Sequence, residues 1–421
     1  MSFVAVVQIP DRVEAENPAF FRVAGVPLLT RLIAGAHAAG AETIFVTGTG
    51  IDRARERVGA DPRVRKAPVR WDARPSERAE DRATVIEAPA NLVVGTPVWR
   101  LLAEAADPDG VPVEVPGAPG MRSRGVGLPC PLWHDAPPSG AWVARVDTRE
   151  DVPAAKRAIF AHVTKATSGP ISRRVNSLLS IPVSRVLCEW GVTPNQMTIF
   201  TTLLGLLSAW FFARGTVVDL AIGGTLFQTC AALDRVDGEL ARSTFKASEK
   251  GAWIDTIGDN LVYLAVMIGL NVGYFRFAVD RGWSSRTWIP ELGLGTLALL
   301  IALIGGMGWY LRSTRQQGTM TAVQHDVADR LEDVKVGTIY RALSALRILG
   351  KRDSFSFIAW LVTLLPLLTG DPFGIHLLVA FGNGLVVLTT FYYVWGMIKI
   401  ARLPEASVPG GSGAAHGSAA S

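Results

Sequence analysis

The chain predicts two architectures in tandem. A soluble α/β domain runs to about residue 165, and an α-helical polytopic membrane domain of six transmembrane helices follows it. Three observations carry this. The first part is rich in proline and charge, whereas the rest consists mostly of apolar runs with glycine and tryptophan. Short β-type segments alternate with helical ones in the first part, the pattern of a mostly parallel sheet. Six later apolar runs approach the roughly twenty residues that a helix needs to cross a bilayer.

In the soluble part, VAVVQI, ETIFVTG, ATVIEAP, NLVVG, VPVEV and WVARV are expected strands. PLLTRLIAGAHAAG and TPVWRLLAEA are expected helices between them. Residues 166–192 alternate Ile171, Val175, Leu178, Leu179, Val186 and Leu187 with Arg173, Arg174 and Arg185. That pattern predicts an amphipathic helix in the membrane interface, with a plain linker helix as the other reading and Pro182 as a break in the run. The membrane domain is expected over 193–403, with spans near 195–213, 217–241, 252–275, 290–311, 354–369 and 375–398. The tail 404–421 is Gly/Ala/Ser-rich and is expected to be disordered.

Six spans place both termini on one side. The basic stretch from Arg312 to Arg352 follows the fourth span, and Arg242, Lys246 and Lys250 fall on the same side. The positive-inside rule makes that side cytoplasmic, in an inner or plasma membrane. The net charge of +5 fits such loops. No interleaved aromatic and basic stretch points to nucleic acid. The three cysteines, Cys130, Cys188 and Cys230, are scattered, so neither a disulfide framework nor a zinc site is indicated. The N-terminus carries no basic segment followed by a long apolar run, so no cleaved signal peptide is expected.

The chemistry concentrates between Asp234 and Asp259. Asp234 and Asp237 are three apart, and Asp255 and Asp259 are four apart. Either spacing places a pair on one helix face. Carboxylates in a membrane segment are costly and usually functional. Gly238 and Gly251 leave room for a ligand near the backbone, and Arg242 offers a cation for an anionic one. Paired carboxylates suit Mg²⁺, which takes oxygen ligands and shares them with substrate phosphates. Two such ions can clamp the attacking and leaving oxygens of a phosphoryl displacement. A charged turn between spans and an ion carrier with intramembrane acids are the other readings of these residues.

Asp234, Asp237, Gly238, Ala241, Arg242, Gly251, Asp255 and Asp259 together resemble the signature of the CDP-alcohol phosphotransferases, with every position matched. The resemblance implies transfer of a substituted phosphoryl group from a CDP-linked alcohol to a hydroxyl acceptor, with release of CMP. It implies two Mg²⁺ ions, with Mn²⁺ as an alternative, held by Asp234, Asp237, Asp255 and Asp259. Asp259 would also act as the general base, although a carboxylate beside two cations is held as a weak one. Gly238, Ala241, Arg242 and Gly251 would cradle the cytidine diphosphate. Thr193, Pro194 and Asn195 resemble the family's approach to that site, although Pro at a helix start is also ordinary. In members that accept a phosphorylated polyol, basic residues bind the acceptor phosphate. Arg312, Arg315, Lys351 and Arg352 would take that role here, unless they are simply helix-end cations. A homodimer is expected by analogy.

The soluble part resembles the sugar-phosphate nucleotidyltransferases in FRVAGVPLLTRLIAGAHAAGAETIFVTG and in Asp147, Thr148 and Asp151. It departs from them at QIPDRVEAENPAFFRVAG, which has no glycine-rich phosphate loop and carries Phe20 and Phe21 where a lysine is expected. An inactive domain follows, serving as scaffold, regulator or platform. The domain order is similar to the fusions of an inositol-phosphate cytidylyltransferase with a di-inositol-phosphate phosphate synthase. Two donors then stay open: CDP-diacylglycerol, slightly preferred and giving a phospholipid, or CDP-inositol, giving a soluble product. A non-enzymatic membrane scaffold is the rival from another class.

Overall fold

The computed structural model describes residues 3–13, 16–71, 84–104, 113–114, 121–124, 142–164, 171–282, 288–313, 352–370 and 373–401. They form two compact units. One comprises residues 1–168, 177–197 and 235–247, and the other 169–176, 198–234 and 248–421.

The first unit is built on a six-stranded sheet. Strand β1 (Phe3–Ile9) is buried at all but one position, as a strand covered on both faces must be. The small hairpin of β2 (Arg22–Val23) and β3 (Val26–Pro27) leads into α1 (Leu28–Ala39). Next come β4 (Ala41–Gly48), α2 (Ile51–Val58), α3 (Pro62–Arg65) and β5 (Val69–Trp71). Then follow β6 (Thr84–Pro89), β7 (Leu92–Val94), α4 (Thr96–Glu104), β8 (Val113–Glu114) and β9 (Arg122–Arg124). The order is β5-β4-β1-β6-β9-β8, parallel from β5 to β6 and antiparallel at β9 and β8. Strand β10 (Val143–Arg145) pairs with β7 in a separate ribbon. The expected strands and helices are therefore present, and the sheet is mostly parallel. Phe3, Leu32, Ile33, Ile44, Ile86 and Trp99 fill the core.

The β2–β3 loop is Ala24-Gly25, with φ of 48° and 71° at the two positions. Two positive φ values in a two-residue loop match the twist of the hairpin strands. Gly25 is also needed for close approach, because a Cβ there would collide with the Cys188 carbonyl.

Helix α5 (Val152–His162) follows β10, and α6 (Ser177–Leu187) follows a π-helical turn, Ser172–Asn176. The expected break at Pro182 does not occur, since α6 runs through it. The buried face of α6 is polar and its outer face apolar. Ser180 and Ser184 are fully buried, whereas Leu178 is 75% exposed and Leu179 42% exposed.

The long helices are α7 (Pro194–Arg214), α8 (Val217–Thr244), α9 (Glu249–Asp280), α10 (Trp288–Ser313), α11 (Arg352–Thr369) and α12 (Phe373–Ala401). They fall on the six expected apolar runs. By length and composition α7, α8, α9 and Phe373–Phe391 of α12 could cross a membrane. α10 and α11 carry the apolar stretches Glu291–Gly306 and Asp353–Thr369.

In the second unit Phe212, Phe227, Val262, Leu270, Phe355 and Leu378 pack together. Ile199, Leu203, Trp210, Leu294 and Ile301 point outward and are exposed. Gly258 lets α9 pack tightly on α7, since a Cβ there would lie 2.5 Å from Thr202 Oγ1. Small residues at helix contacts are a feature of membrane bundles. The buried side chain of Asn176 donates to Asp353 Oδ1 (2.7 Å) and accepts from Gln228 Nε2 (2.9 Å), joining the π-helical turn to α8 and α11.

Candidate active site

Helix α8 is continuous through Asp234 and Asp237, and α9 starts only five residues after α8 ends. Ser248 caps α9, its Oγ accepting from Gly251 N at 3.1 Å. This short connection brings the two carboxylate-bearing helix ends together. Ligand oxygens of Asp234, Asp237 and Asp255 lie within 4.8 Å of one another, and all three groups are at least partly withdrawn from solvent. Such a set of oxygen donors fits a hard divalent cation, or a pair of them sharing ligands. Asp259 lies outside this group of three, one turn further along α9, and is partly buried.

The residues expected around the nucleotide already have local partners. Thr193 and Gln196 form a capping box at the start of α7, with Gln196 Oε1 accepting from Thr193 N (2.9 Å) and Oγ1 (3.0 Å). Pro194 takes the first helical position and Asn195 the second. The Gly238 N–H donates to the Asp237 carboxylate. The Arg242 guanidinium lies against Gly238, where a Cβ would sit 3.0 Å from it. Arg242 Nε donates to the Val163 carbonyl at 2.8 Å, just past α5. The Ala241 carbonyl accepts from Lys246 N at 3.0 Å. Of the residues expected to hold an acceptor phosphate, Arg315 and Lys351 lie outside the described residues, as do the side chains of Arg312 and Arg352. Cys130, residues 314–351 of the basic stretch and the tail also lie outside them. Cys188 and Cys230 are buried free thiols.

The sequence reading missed how the end of α8 is held. Glu239 is fully buried, accepting from Ser180 Oγ (2.8 Å) and Ser184 Oγ (2.7 Å) of α6. Arg235 pairs with it one turn away at 3.4 Å. An acidic residue between Asp237 and Arg242 in an apolar helix was the available signal. The turn after α8 is fastened as well. Arg63 donates to the Thr244 carbonyl at 2.9 Å, and the Arg31 guanidinium lies 6.0 Å from the Phe245 ring centroid. Arg31 also donates to the Val23 carbonyl at 2.6 Å and 2.8 Å. Burial, with Arg63 nearby, pushes its pKa down to about 9, so it stays cationic at neutral pH. Burial and then Arg63 lower Lys246 in the same way.

The Asp147-Thr148-Arg149-Glu150-Asp151 segment forms a local cap. Asp151 Oδ2 accepts from Asp147 N and Thr148 N, each at 2.9 Å. Phe20 and Phe21 lie beneath Arg57 and Arg149, at 5.1 Å and 5.4 Å from the ring centroids. Asn17 caps the short helix Pro18–Phe20.

The chain thus joins an α/β domain to apolar helices, two of which converge three carboxylates. Residues 191–365 match the CDP-alcohol phosphatidyltransferase family. Among curated relatives, the bifunctional IPC transferase and DIPP synthase of Aquifex aeolicus is 30% identical over 259 residues, covering 61% of this chain and 51% of the relative. The archaetidylinositol phosphate synthase of Pyrococcus horikoshii is 33% identical over 91 residues, 22% of this chain and 47% of the relative. The phosphatidylinositol phosphate synthase of Mycobacteroides abscessus is 28% identical over 138 residues, 32% of this chain and 54% of the relative. The chain thus spans about half the length of these relatives.

Proposed function

We propose that the protein is an integral membrane CDP-alcohol phosphotransferase. It moves a substituted phosphoryl group from a CDP-alcohol to a hydroxyl acceptor such as inositol phosphate and releases CMP. The observation that carries this reading is the convergence of Asp234, Asp237 and Asp255 from two consecutive helices within the family-matched region.

Asp234, Asp237 and Asp255 would hold the divalent ions, two Mg²⁺ or Mn²⁺, and Asp259 would complete the set. Bound there, such ions neutralise the pyrophosphate and stabilise the leaving oxygen. Gly238, Ala241, Arg242, Gly251 and the Thr193–Asn195 turn would receive the cytidine diphosphate. The acceptor oxygen forms a bond to the phosphorus bearing the alcohol. The bond from that phosphorus to the CMP oxygen breaks, and the acceptor proton passes to Asp259. Arg312, Arg315, Lys351 and Arg352 would bind the acceptor phosphate.

All six long helices would span the membrane. The termini and the aspartates would face the cytoplasm, and two copies would pair through their spans. The inverted α6, apolar outside and polar inside, supports its lying in the cytoplasmic leaflet. The soluble domain would be a platform and not a nucleotidyltransferase, because Phe20 and Phe21 occupy the stretch where a phosphate loop and lysine would work.

The relatives' names speak of inositol phosphate lipids and of DIPP synthesis. CDP-diacylglycerol as donor is the first reading. CDP-inositol is the second, favoured by the tandem domain order. Purified protein with Mg²⁺ and inositol phosphate should release CMP from one donor, and Asp259→Asn and Asp255→Asn should abolish it. No release from either donor, with folded protein and a wider acceptor panel, would favour a membrane scaffold.

A further inference from the structure

A cavity of about 410 Å³ lies between α5 and α6 in the first unit, and none of the aspartates lines it. Its walls are apolar, formed by Pro153, Val186 and Trp190. Its rim carries three cations, Lys156, Arg157 and Arg185, against one carboxylate, Glu189.

The charges are unevenly satisfied. Lys156 Nζ meets Glu189 Oε1 at 2.9 Å, so these two cancel. Arg157 is exposed. Arg185 lies with its guanidinium 5.8 Å from the Phe160 ring centroid, and its buried Nε makes no hydrogen bond among the described residues. Arg185 also lines the cavity, where an oxygen ligand can take up charge that no carboxylate balances. The cavity therefore presents an excess of positive charge.

Exposed apolar side chains surround it. Trp190, 75% exposed, belongs both to the cavity wall and to the exposed apolar side of the α6 region, together with Leu178 and Val186. Trp190 precedes Pro194, the start of the first candidate span, by four residues. A chain of that length reaches no more than about 15 Å. Tryptophan is enriched at the level of the headgroups. An open apolar wall beside such a residue is unsuited to a free sugar phosphate, which has no hydrocarbon to place on it.

We propose that this cavity binds an anionic glycerophospholipid of the leaflet, with the phosphodiester on Arg157 and Arg185 and the glycerol and upper acyl chain on Val186 and Trp190. The site anchors α6, and through it the soluble domain, to negatively charged membrane. It is independent of the phosphotransferase reading, because binding here involves none of the aspartates.

The test uses the full chain in detergent micelles, with native mass spectrometry of bound dioctanoyl-phosphatidylglycerol. Dioctanoyl-phosphatidylcholine and inorganic phosphate serve as competitors. The wild type should retain one phosphatidylglycerol that neither competitor displaces at equal concentration. Arg157→Gln/Arg185→Gln should bind it about 25-fold more weakly, at about fivefold per cation removed. Should Arg185→Gln impair folding, Arg157→Glu alters only an exposed side chain and should still weaken binding more than fivefold. Trp190→Ala should weaken it while leaving the charges in place. Unchanged binding in folded variants would overturn the proposal. Displacement by inorganic phosphate would also overturn it, by pointing to a soluble phosphate ester, and displacement by phosphatidylcholine would do so by pointing to zwitterionic lipid.

Discussion

Glu239→Ala tests how α6 is fastened to the end of α8. The substitution removes the acceptor of the Ser180 and Ser184 hydroxyls, at 2.8 Å and 2.7 Å, and the partner of Arg235 at 3.4 Å. Removing one member of a buried ion pair commonly destabilises by about 3–5 kcal/mol, because the other charge stays buried. Arg235 is 11% exposed at its side chain and can still donate to Ser180 Oγ at 3.3 Å. The serine hydroxyls can also turn toward helix carbonyls. The low end, about 3 kcal/mol, is therefore expected, roughly a 100-fold rise in the undocked population. Glu239→Gln keeps the shape and one acceptor, and should lose about 1–2 kcal/mol. Arg235→Met/Glu239→Met removes both charges and should recover most of the loss. Reversible unfolding in mixed micelles reads the energies, and limited proteolysis between residues 177 and 187 reads the docking. A loss under about 0.5 kcal/mol for Glu239→Ala, or a double variant no better than the single one, would refute the reasoning.

Other outcomes follow from the same contacts. Asp237→Asn and Asp255→Asn should each weaken Mn²⁺ binding, read by electron paramagnetic resonance, by more than the 10–100-fold typical of outer-shell partners, roughly. Arg63→Ala removes the bond to the Thr244 carbonyl. It should speed amide exchange at residues 244–247 and lower stability by about 1–2 kcal/mol. Gly258→Ala pushes a methyl to 2.5 Å from Thr202 Oγ1. A loss of about 1–3 kcal/mol is expected, and Thr202→Ala should relieve it. Backbone N–H groups of Thr148 and Asp147, then the Thr148 hydroxyl, hold the Asp151 carboxyl below its ordinary value of 3.8. Its folded-state pKa is depressed, so its contribution is present above about pH 4 and is lost as pH falls through the lower folded value. Asp151→Asn should therefore differ from wild type at neutral pH and converge on it in acid, as read by thermal melts across that window.

The sheet, the six apolar helices and the aspartate motif were all readable from the chain, because each rests on local periodicity or spacing. Burial on both faces makes β1 a continuous apolar run, and the Asp234–Asp237 spacing needs only one helix to be meaningful. Pro182 was misleading, since a proline removes one helical hydrogen bond without dictating that neighbours cannot hold the helix together.

Tertiary structure alone decided which carboxylates meet. Asp234, Asp237 and Asp255 converge, while Asp259 stands a turn away, and that depends on how two helices pack across a four-residue turn. It also decided that Glu239 belongs to α6 and that Arg242 leans on Val163. Those partners lie 55 or more residues apart, and no periodicity links them. Sequence by itself determined the chemistry available to this protein, because residue type and local spacing set which groups share a helix face. Only the folded chain determined which of those groups act together, because pairing distant residues depends on packing geometry that local patterns do not encode.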